Sequence, residues 1–280
     1  MIVFFNGHFL EKPKVRISPD DRGFLFGDGT YEVIRIYHGR PFRLEAHLRR
    51  FRHSLESIRL DFTDLEIFKS VADDLIRKNG FENDESSLYI QITRGVTVRR
   101  HPFPDLGTPP TVYACVNPAS PLTTKWEKGV KIILLPDIRW KRCDIKSVSL
   151  LANVMSNQAA KEQEAEEAVF IRKGMITEGT HTNVAAVLEG TLVTHPVGEA
   201  ILNGITREVV LELCQRLDIP YREKPIPVNG FRSADEIMIL GTTTEIMPVI
   251  QVDDWTIGKG SPGPVVRKLQ AAFDEMTRSF

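Results

Sequence analysis

The sequence predicts an α+β fold in two domains, and three observations support this prediction. A chain of 280 residues is longer than one minimal domain needs. Segments with strand-like alternation occur together with amphipathic helical stripes along the whole chain. The segment 117–121, Asn-Pro-Ala-Ser-Pro, is typical of a linker. We therefore expect a smaller N-terminal domain at 1–118, a linker at 119–122 and a larger C-terminal domain at 123–280.

The composition argues against several classes of protein. A formal net charge of −1 gives no basic surface for nucleic acid and no polybasic patch for a membrane. The three cysteines lack metal-ligand spacing and suit a reducing compartment. No apolar run approaches the roughly 18 residues of a membrane helix, and the N-terminus does not resemble a signal peptide. We expect a cytoplasmic protein without a metal site, a membrane span or a nucleic-acid partner.

The N-terminal half begins with strands. Asn6-Gly7 predicts a hairpin turn between two short strands, and residues 20–23 predict a second turn. Residues 30–37 then alternate, with Tyr31 and Val33 on one face and Glu32 on the other. Because each face carries polar side chains, we expect one face of this strand to line a site.

Two helices and two strands follow this strand. Apolar residues recur at helical spacing over Leu44–Ile58 and again over Asp64–Lys78. His47 and Arg50 are three residues apart and therefore share one face of the first helix. Strands are predicted at Ser87–Thr93 and Thr111–Val116. The loop between them, 94–110, contains four prolines and two glycines, and loops of this length are usually functional or mobile.

The C-terminal half also alternates between strands and helices. Strands are predicted at Lys131–Leu135, Ala168–Arg172, Asn183–Leu188, Thr191–Thr194, Glu236–Leu240, Ile246–Val252 and Thr256–Ile257. Helices are predicted at Leu150–Glu167, Gly204–Leu217 and Gly263–Met276.

Lys146 and Glu178 are the leading catalytic candidates. Lys146 lies between a predicted strand and a predicted helix, beside Ile145 and Val148, where partial desolvation favours the neutral, nucleophilic amine. Glu178 follows 32 residues later, just before the next predicted strand. A lysine followed by a carboxylate is the order that a pyridoxal phosphate site needs. A solvated lysine and a carboxylate at a strand end remain the ordinary alternative.

The sequence around these residues resembles that of a known family. The pattern DIRWxRCDIKSxxLLxNV, followed by TEGxxxNV, is similar to the D-amino-acid aminotransferase branch of the fold-type-IV pyridoxal-phosphate enzymes. The resemblance extends over nearly the whole chain, from residues 24–29 to residues 243–248. It implies an α/β sandwich-like N-terminal domain and a C-terminal domain with a β-barrel-like sheet core and flanking helices. It also implies pyridoxal 5′-phosphate, joined as a Schiff base to Lys146, with Glu178 at the ring nitrogen.

Several groups resemble the family's cofactor-binding residues. A helix beginning near Gly204 presents free N–H groups and a positive dipole end to an anion. By resemblance, the further cofactor-binding residues are Arg50, Leu202, Ile205, Thr206 and Thr242. The chain has Gly241 and His181 where relatives of this branch carry serine. A lost hydroxyl contact is worth about 0.5–1.5 kcal/mol, so we expect somewhat easier loss of the cofactor.

The substrate residues also follow from the resemblance. Tyr31-Glu32-Val33 together with Arg99 and His101 resembles the trap for the substrate α-carboxylate in D-amino-acid aminotransferases. We therefore expect Tyr31, Val33, Arg99 and His101 to bind the substrate. In this family the arginine and the histidine come from the partner subunit, which implies a homodimer with shared active sites.

The resulting hypothesis is ping-pong transfer of an amino group between D-amino acids, such as D-alanine and D-glutamate, and 2-oxo acids. Branched-chain L-amino-acid aminotransferase, (R)-amine transaminase and aminodeoxychorismate lyase are alternatives within the same fold. A non-catalytic oligomeric protein that keeps the fold is an alternative from another class. Assays with D-alanine, L-leucine and aminodeoxychorismate separate the D-amino-acid, branched-chain and lyase activities. Equal activity of an Arg99→Ala variant on amines that lack a carboxylate indicates an (R)-amine transaminase, and a colourless protein indicates the non-catalytic alternative.

Overall fold

A computed structural model describes residues 1–119 and 123–280, and this chain divides into two compact units. The first unit contains Met1–Ala119, Ile145–Leu150 and Phe280, and the second unit contains the other described residues. Residues 120–122 of the predicted linker lie outside the described residues. The proposed domain limits place 145–150 in the C-terminal domain, whereas its contacts place it in the first unit.

The first unit is built from six strands and three α-helices. The strands are β1 (Ile2–Phe5), β2 (His8–Glu11), β3 (Gly29–Tyr37), β4 (Arg40–Pro41), β5 (Ser86–Thr93) and β6 (Thr111–Pro118). The helices are α1 (Arg22–Phe26), α2 (Leu44–Ser57) and α3 (Ile67–Asn79). The strand order in the sheet is β2-β1-β6-β5-β3-β4, and every neighbouring pair is antiparallel.

The core of the first unit lies between one sheet face and the helices α2 and α3. Alternate residues of β3 and β5, including Ile34 and Ile90, join the apolar faces of the two helices, including Phe51 and Phe68. These four side chains have no exposed surface. The helical and strand periodicities of the sequence therefore point the same residues into one core.

The second unit contains ten strands and five α-helices among its described residues. The strands are β7 (Val130–Pro136), β8 (Glu167–Arg172), β9 (Met175–Gly179), β10 (Asn183–Leu188), β11 (Thr191–Thr194), β12 (Tyr221–Glu223), β13 (Ile226–Pro227), β14 (Glu236–Gly241), β15 (Glu245–Val252) and β16 (Trp255–Thr256). The helices are α4 (Thr123–Lys128), α5 (Leu151–Glu162), α6 (Ile205–Arg216), α7 (Val228–Arg232) and α8 (Pro264–Arg278).

Six of these strands form a closed ring, in the order β10-β14-β15-β7-β8-β9. The ring closes where Asn183 of β10 pairs with Glu178 of β9. Val169, Val184 and Ile239, on three strands of the ring, belong to one apolar core. The predicted fold class, α+β with a barrel-like sheet in the larger part, is confirmed.

Some local predictions were wrong. The helix predicted over Leu150–Glu167 ends at Glu162, because Glu164 takes a left-handed conformation with φ of 56° and Glu167 begins β8. Glu178 precedes the predicted strand at Asn183–Leu188, but it lies inside β9, a strand that was not predicted. The short helices α1, α4 and α7 had too few residues to show a helical period.

No helix within residues 1–119 and 123–280 is long and apolar enough to cross a membrane. The same residues hold no cluster of three histidine, cysteine or acidic side chains that could bind a metal ion.

Candidate active site

Lys146 is held in the first unit by backbone hydrogen bonds. Its carbonyl accepts a hydrogen bond from the Tyr31 N–H at 3.0 Å, and its own N–H donates to Ser54 Oγ at 3.1 Å. Ser54 is fully buried on α2. The half-buried side chain places Nζ 4.4 Å from the centre of the Tyr31 ring. The structure therefore brings Lys146 and Tyr31, two predicted site residues, together.

A buried cluster of Glu32, His47 and Arg50 lies in the same unit. Arg50 Nε and Nη2 each donate to a different oxygen of Glu32, both at 2.8 Å. His47 Nδ1 lies 2.9 Å from Glu32 Oε2. Burial alone raises the pKa of Glu32, but Arg50 and His47 outweigh it and lower this pKa to about 2.

This cluster has little net charge. Burial lowers the pKa of His47, which outweighs its contact with Glu32, so the imidazole is neutral at pH 7. The carboxylate of Glu32 offsets the guanidinium of Arg50. Arg50, the predicted phosphate ligand, is therefore held in a fixed orientation by a buried carboxylate.

Tyr31 and Val33 point to the sheet face opposite Glu32, as the alternation of β3 predicts. Both are half-buried. The Tyr31 ring stacks on Tyr89 of the neighbouring strand β5, with 5.8 Å between the ring centres. The loop 94–110 carries the other two predicted substrate residues, Arg99 and His101, and both side chains are exposed.

Glu178 of the second unit is a buried carboxylate with three donors. Its Oε1 accepts a hydrogen bond from Arg139 Nη1 at 2.6 Å. Its Oε2 accepts from Asn183 Nδ2 at 3.1 Å and from the Leu202 N–H at 2.9 Å. Glu178 and Leu202, both predicted cofactor residues, thus come together. Burial raises the pKa of Glu178 to about 7, although the Arg139 charge and the hydrogen bonds from Arg139 and the Leu202 N–H act in the opposite direction.

Arg139 is shared between two carboxylates. Besides Glu178, it donates from Nε and Nη2 to the two oxygens of Asp137, each at 3.0 Å. The side chain of Asp137 is fully buried and also pairs with Arg172 at 2.8 Å. The guanidinium of Arg139 lies 4.3 Å from the centre of the Phe170 ring. The sequence motif contained Asp137 and Arg139, but their roles were missed.

The beginning of α6 has the properties of an anion site. Gly204 is its N-cap and makes no side-chain capping bond, so the N–H groups of Ile205 and Thr206 stand in an uncapped first turn. A Cβ at Gly204 would lie 1.9 Å from Asn183 Oδ1, so only glycine allows this close approach. Thr242 is half-buried just after β14.

The turn between β9 and β10 depends on Glu167. This fully buried carboxylate accepts hydrogen bonds from Thr180 Oγ1 at 2.5 Å and from Thr182 Oγ1 at 2.9 Å. It also lies 3.0 Å from Nδ1 of His181. Burial raises the pKa of Glu167, but these partners outweigh it and leave the pKa lowered. Glu167 thus fixes the turn that separates Glu178 from Asn183.

Two signals could have identified the missed residues. A charged residue on the core-facing side of a strand, as at Glu32, requires a buried partner, and His47 and Arg50 share one helix face. An acid and an arginine two residues apart at a strand end, as at Asp137 and Arg139, are suited to pair with each other. Neither pattern alone indicates which second carboxylate Arg139 contacts.

Comparison with known proteins decides the family. Residues 29–252 match the family model described as aminotransferase class IV. The chain belongs to this family. A D-alanine aminotransferase of Bacillus licheniformis is 42% identical over 275 residues, which cover 98% of this chain and 96% of that protein. A D-alanine aminotransferase of Staphylococcus haemolyticus is 39% identical over 278 residues, with 99% and 98% coverage.

Solved structures agree with this class IV aminotransferase assignment. The branched-chain amino acid aminotransferase of Escherichia coli has a TM-score of 0.89 and 25% identity, covering 99% of this chain and 94% of that one. The branched-chain aminotransferase of Thermoproteus uzoniensis has a TM-score of 0.87 and 26% identity, with the same coverage. The class IV aminotransferase fold therefore extends over nearly the whole chain.

Proposed function

We propose that this class IV aminotransferase is a pyridoxal 5′-phosphate-dependent D-amino-acid transaminase, with D-amino acids and 2-oxo acids as substrates. The observation that carries the proposal is the near full-length identity, 37–42%, to D-alanine aminotransferases. The chemistry of the candidate site supports it. This reaction uses an amine that can form a Schiff base and a carboxylate for the ring nitrogen. Lys146, half-buried beside Tyr31, offers the amine, and the buried Glu178, whose pKa is raised to about 7, offers the carboxylate.

The residues present suit pyridoxal phosphate. The uncapped first turn of α6 supplies N–H groups for a phosphate, with Thr242 and Arg50 as further donors. Burial raises the pKa of Glu178 to about 7 even with the Arg139 guanidinium beside it, so a further cationic N–H partner would favour the charged carboxylate. Leu202 offers an apolar side chain for the ring. When bound, pyridoxal phosphate supplies an aldehyde that takes up the amino group and a ring that withdraws electrons.

The side chains then act as acid, base and anchors. Nζ of Lys146 removes the proton from Cα of the amino acid and returns it later in the cycle. Glu178, fixed by Arg139, Asn183 and the Leu202 N–H, holds the proton on the ring nitrogen.

Substrate binding is assigned to a second group of residues. Tyr31, Arg99 and His101 bind the substrate carboxylate, and Val33 contacts the side chain. The position of the bound substrate carboxylate determines which face of Cα is turned towards the lysine, and therefore which enantiomer reacts.

Substitution of the lysine tests this function. Lys146→Ala should abolish transamination of D-alanine and remove the long-wavelength absorption of the bound cofactor. Reduction with borohydride followed by peptide mapping should label Lys146 in the natural protein. Turnover by the Lys146→Ala enzyme at the natural rate, or a label on another residue, refutes the assignment.

A homodimer with shared sites belongs to the same proposal. Val98, Phe103 and Leu106 of the loop 94–110 are exposed apolar residues in the single chain, and Phe24 is 75% exposed. Exposed apolar groups of this kind are typical of a subunit interface. In this proposal, Arg99 and His101 act in the active site of the other subunit.

Mixed dimers test the sharing directly. Lys146→Ala and Arg99→Ala subunits, each poorly active alone at low D-alanine concentration, are unfolded together and refolded. If Arg99 acts in the other subunit, the mixed dimer contains one intact site and activity returns. If activity does not return while mixed dimers are present by mass spectrometry, each site is built from one subunit.

Branched-chain L-amino-acid transamination is a second candidate, favoured by the TM-score of 0.89 to the E. coli enzyme. Half-reactions distinguish the two. Addition of D-alanine to the holoenzyme should convert the cofactor spectrum within seconds, and addition of L-leucine should leave it unchanged. The reverse result assigns the chain to the branched-chain activity.

A further inference from the structure

Arg22 holds the backbone of the loop that carries Arg99 and His101. This arginine is only 3% exposed. Its Nη1 donates to the Arg100 carbonyl at 2.6 Å and to the Pro102 carbonyl at 3.3 Å. Its Nη2 donates to the His101 carbonyl at 3.3 Å. One buried guanidinium therefore binds three successive carbonyls of the exposed segment 98–103.

Arg22 is itself rigidly mounted. Its Nε donates to Asp28 Oδ2 at 2.8 Å, and the same oxygen accepts from Arg94 Nε at 2.8 Å. The Arg22 N–H donates to the Gly95 carbonyl at 2.9 Å. Asp21, which caps α1, accepts hydrogen bonds from Thr93 and Thr111 at the ends of β5 and β6. The short helix α1 is thus fixed to the sheet at both loop ends.

The ring of Phe26, at the other end of α1, contacts both predicted carboxylate-binding side chains. The Arg99 guanidinium lies 5.1 Å from the centre of this ring. The His101 ring lies 5.5 Å away, centre to centre, at 45°. The Arg22 guanidinium lies 4.8 Å from the same ring. Arg99 and His101 are separated by one residue, and a single aromatic ring contacts both.

We propose that Phe26 and Arg22 are positioning residues for the substrate carboxylate. Phe26 sets the separation and direction of the Arg99 and His101 side chains, and Arg22 fixes the backbone between them. Neither residue contacts the substrate itself. This inference rests on the proposed function, because it assumes that Arg99 and His101 bind a carboxylate. It adds the first-unit helix α1 to the elements that determine substrate affinity.

The energetic argument is one of preorganisation. An exposed arginine samples many rotamers, and carboxylate binding must select one of them. Contact with an aromatic face restricts the guanidinium before the substrate arrives. The entropy of the Arg99 side chain is then lost during folding and not during substrate binding. Loss of the ring should therefore weaken substrate binding with little effect on the chemical steps.

Phe26→Leu tests the proposal, because leucine keeps an apolar side chain and removes the aromatic face. The KM for D-alanine should rise about tenfold, with kcat changed by less than about twofold. Phe9→Leu is the matched control. Phe9 is also half-buried in the first unit, beside one aromatic ring (Phe4, 5.5 Å) and one cation (Lys78, 5.1 Å). This control should leave both constants unchanged.

A double-mutant cycle separates positioning from general destabilisation. If Phe26 acts through Arg99, Phe26→Leu should add less to KM in an Arg99→Ala background than in the natural enzyme. Arg22→Lys keeps the charge beside Asp28 but has fewer fixed donors, so its KM should lie between those of the natural and Phe26→Leu enzymes. Thermal unfolding of every variant shows that it is folded at the assay temperature.

The outcomes distinguish this inference from the proposed function. If Arg99→Ala raises KM and Phe26→Leu does not, Arg99 binds the substrate without being positioned by Phe26, and the inference is wrong. An additive cycle, or equal effects of Phe26→Leu and Phe9→Leu, also overturns it. If Arg99→Ala leaves KM for D-alanine unchanged, the carboxylate role in the proposed function fails first.

Discussion

Two buried carboxylates, Glu32 in the first unit and Glu178 in the second, receive hydrogen bonds from arginine and differ widely in pKa. Glu32 is 0% exposed and Glu178 is 5% exposed. From an ordinary value of 4.5, the pKa of Glu32 falls to about 2, whereas that of Glu178 rises to about 7. Burial beside an arginine therefore does not determine the protonation of a carboxylate.

The difference lies in how the arginine is shared. Arg50 directs two N–H groups to the two oxygens of Glu32. Arg139 gives one N–H to Glu178 and two to Asp137, whose negative charge also raises the pKa of Glu178. Glu32 is thus a permanently charged structural partner. Burial raises the pKa of Glu178 to about 7, and in the proposed function a cationic ring nitrogen would favour its charged form.

The largest expected effect tests the structural side of this comparison. Arg50→Met leaves the Glu32 charge buried without its main partner, which should destabilise the cofactor-free protein by about 3–5 kcal/mol. Urea unfolding at pH 7.5 measures the change. Arg278→Met is the control, because Arg278 pairs with Asp274 at the surface and should cost at most about 1 kcal/mol. Equal losses in the two variants contradict the buried ion-pair interpretation.

The pH dependence of stability should have opposite signs for the two carboxylates. The folded pKa of Glu32 lies below 4.5, so its stabilisation is complete above that pH and is lost as the pH falls towards 2. The folded pKa of Glu178 lies above 4.5, so its favourable contribution is complete below that pH and is lost as the pH rises through 7.

Glutamine substitutions in the cofactor-free protein measure this contrast. At pH 8, Glu32→Gln should destabilise and Glu178→Gln should stabilise, each by about 3 kcal/mol. Between pH 5 and pH 8 the first effect should be constant and the second should grow with pH. If Glu178→Gln destabilises the protein equally at both pH values, the raised pKa of Glu178 is wrong.

The next effect concerns catalysis. Arg139→Met removes the cation that opposes protonation of Glu178, so Glu178 should be neutral at pH 7 and hold the ring nitrogen proton poorly. Loss of a residue that orients a functional group through a hydrogen bond typically lowers activity by about 10–100-fold, and we expect a fall in kcat of that size. Steady-state kinetics with D-alanine, at saturating cofactor, measures it. An unchanged kcat shows that Glu178 does not depend on Arg139.

The smallest effect separates the two roles of Arg139. Asp137→Asn removes a negative charge near Glu178 and frees Arg139 for it, so the pKa of Glu178 should fall below about 7. The acid limb of the kcat–pH profile should move to lower pH, with the maximum kcat within about threefold of natural. Movement to higher pH means that Asp137 acts mainly by orienting Arg139.

Local sequence patterns were sufficient for much of the fold. The apolar stripe of Leu44–Ile58 gave α2 within one residue, because helical period and burial depend on neighbours in sequence. The predicted end of the third long helix at Glu167 was wrong, because Glu167 lies in β8 and is fixed by hydroxyl groups from the turn at 180–182. A buried charge selects its conformation through partners that a local pattern does not contain.

The candidate site divides in the same way. Lys146, Glu178 and Arg50 were predicted as site residues from short motifs and the family resemblance. The hydrogen bonds from Arg22 to the loop 94–110 were not predicted, because Arg22 is 78 residues away from Arg100 and no spacing rule connects them.

By itself, the sequence determined the periodicity of helices and strands, the turn glycines and the residue types from which a site can be built. The tertiary structure alone decided that Glu32 is charged, that Glu178 titrates near 7 and that one aromatic ring contacts Arg99 and His101. The reason is physical. Pattern is fixed by covalent neighbours, whereas electrostatic energy depends on burial and on distances between residues that are remote along the chain.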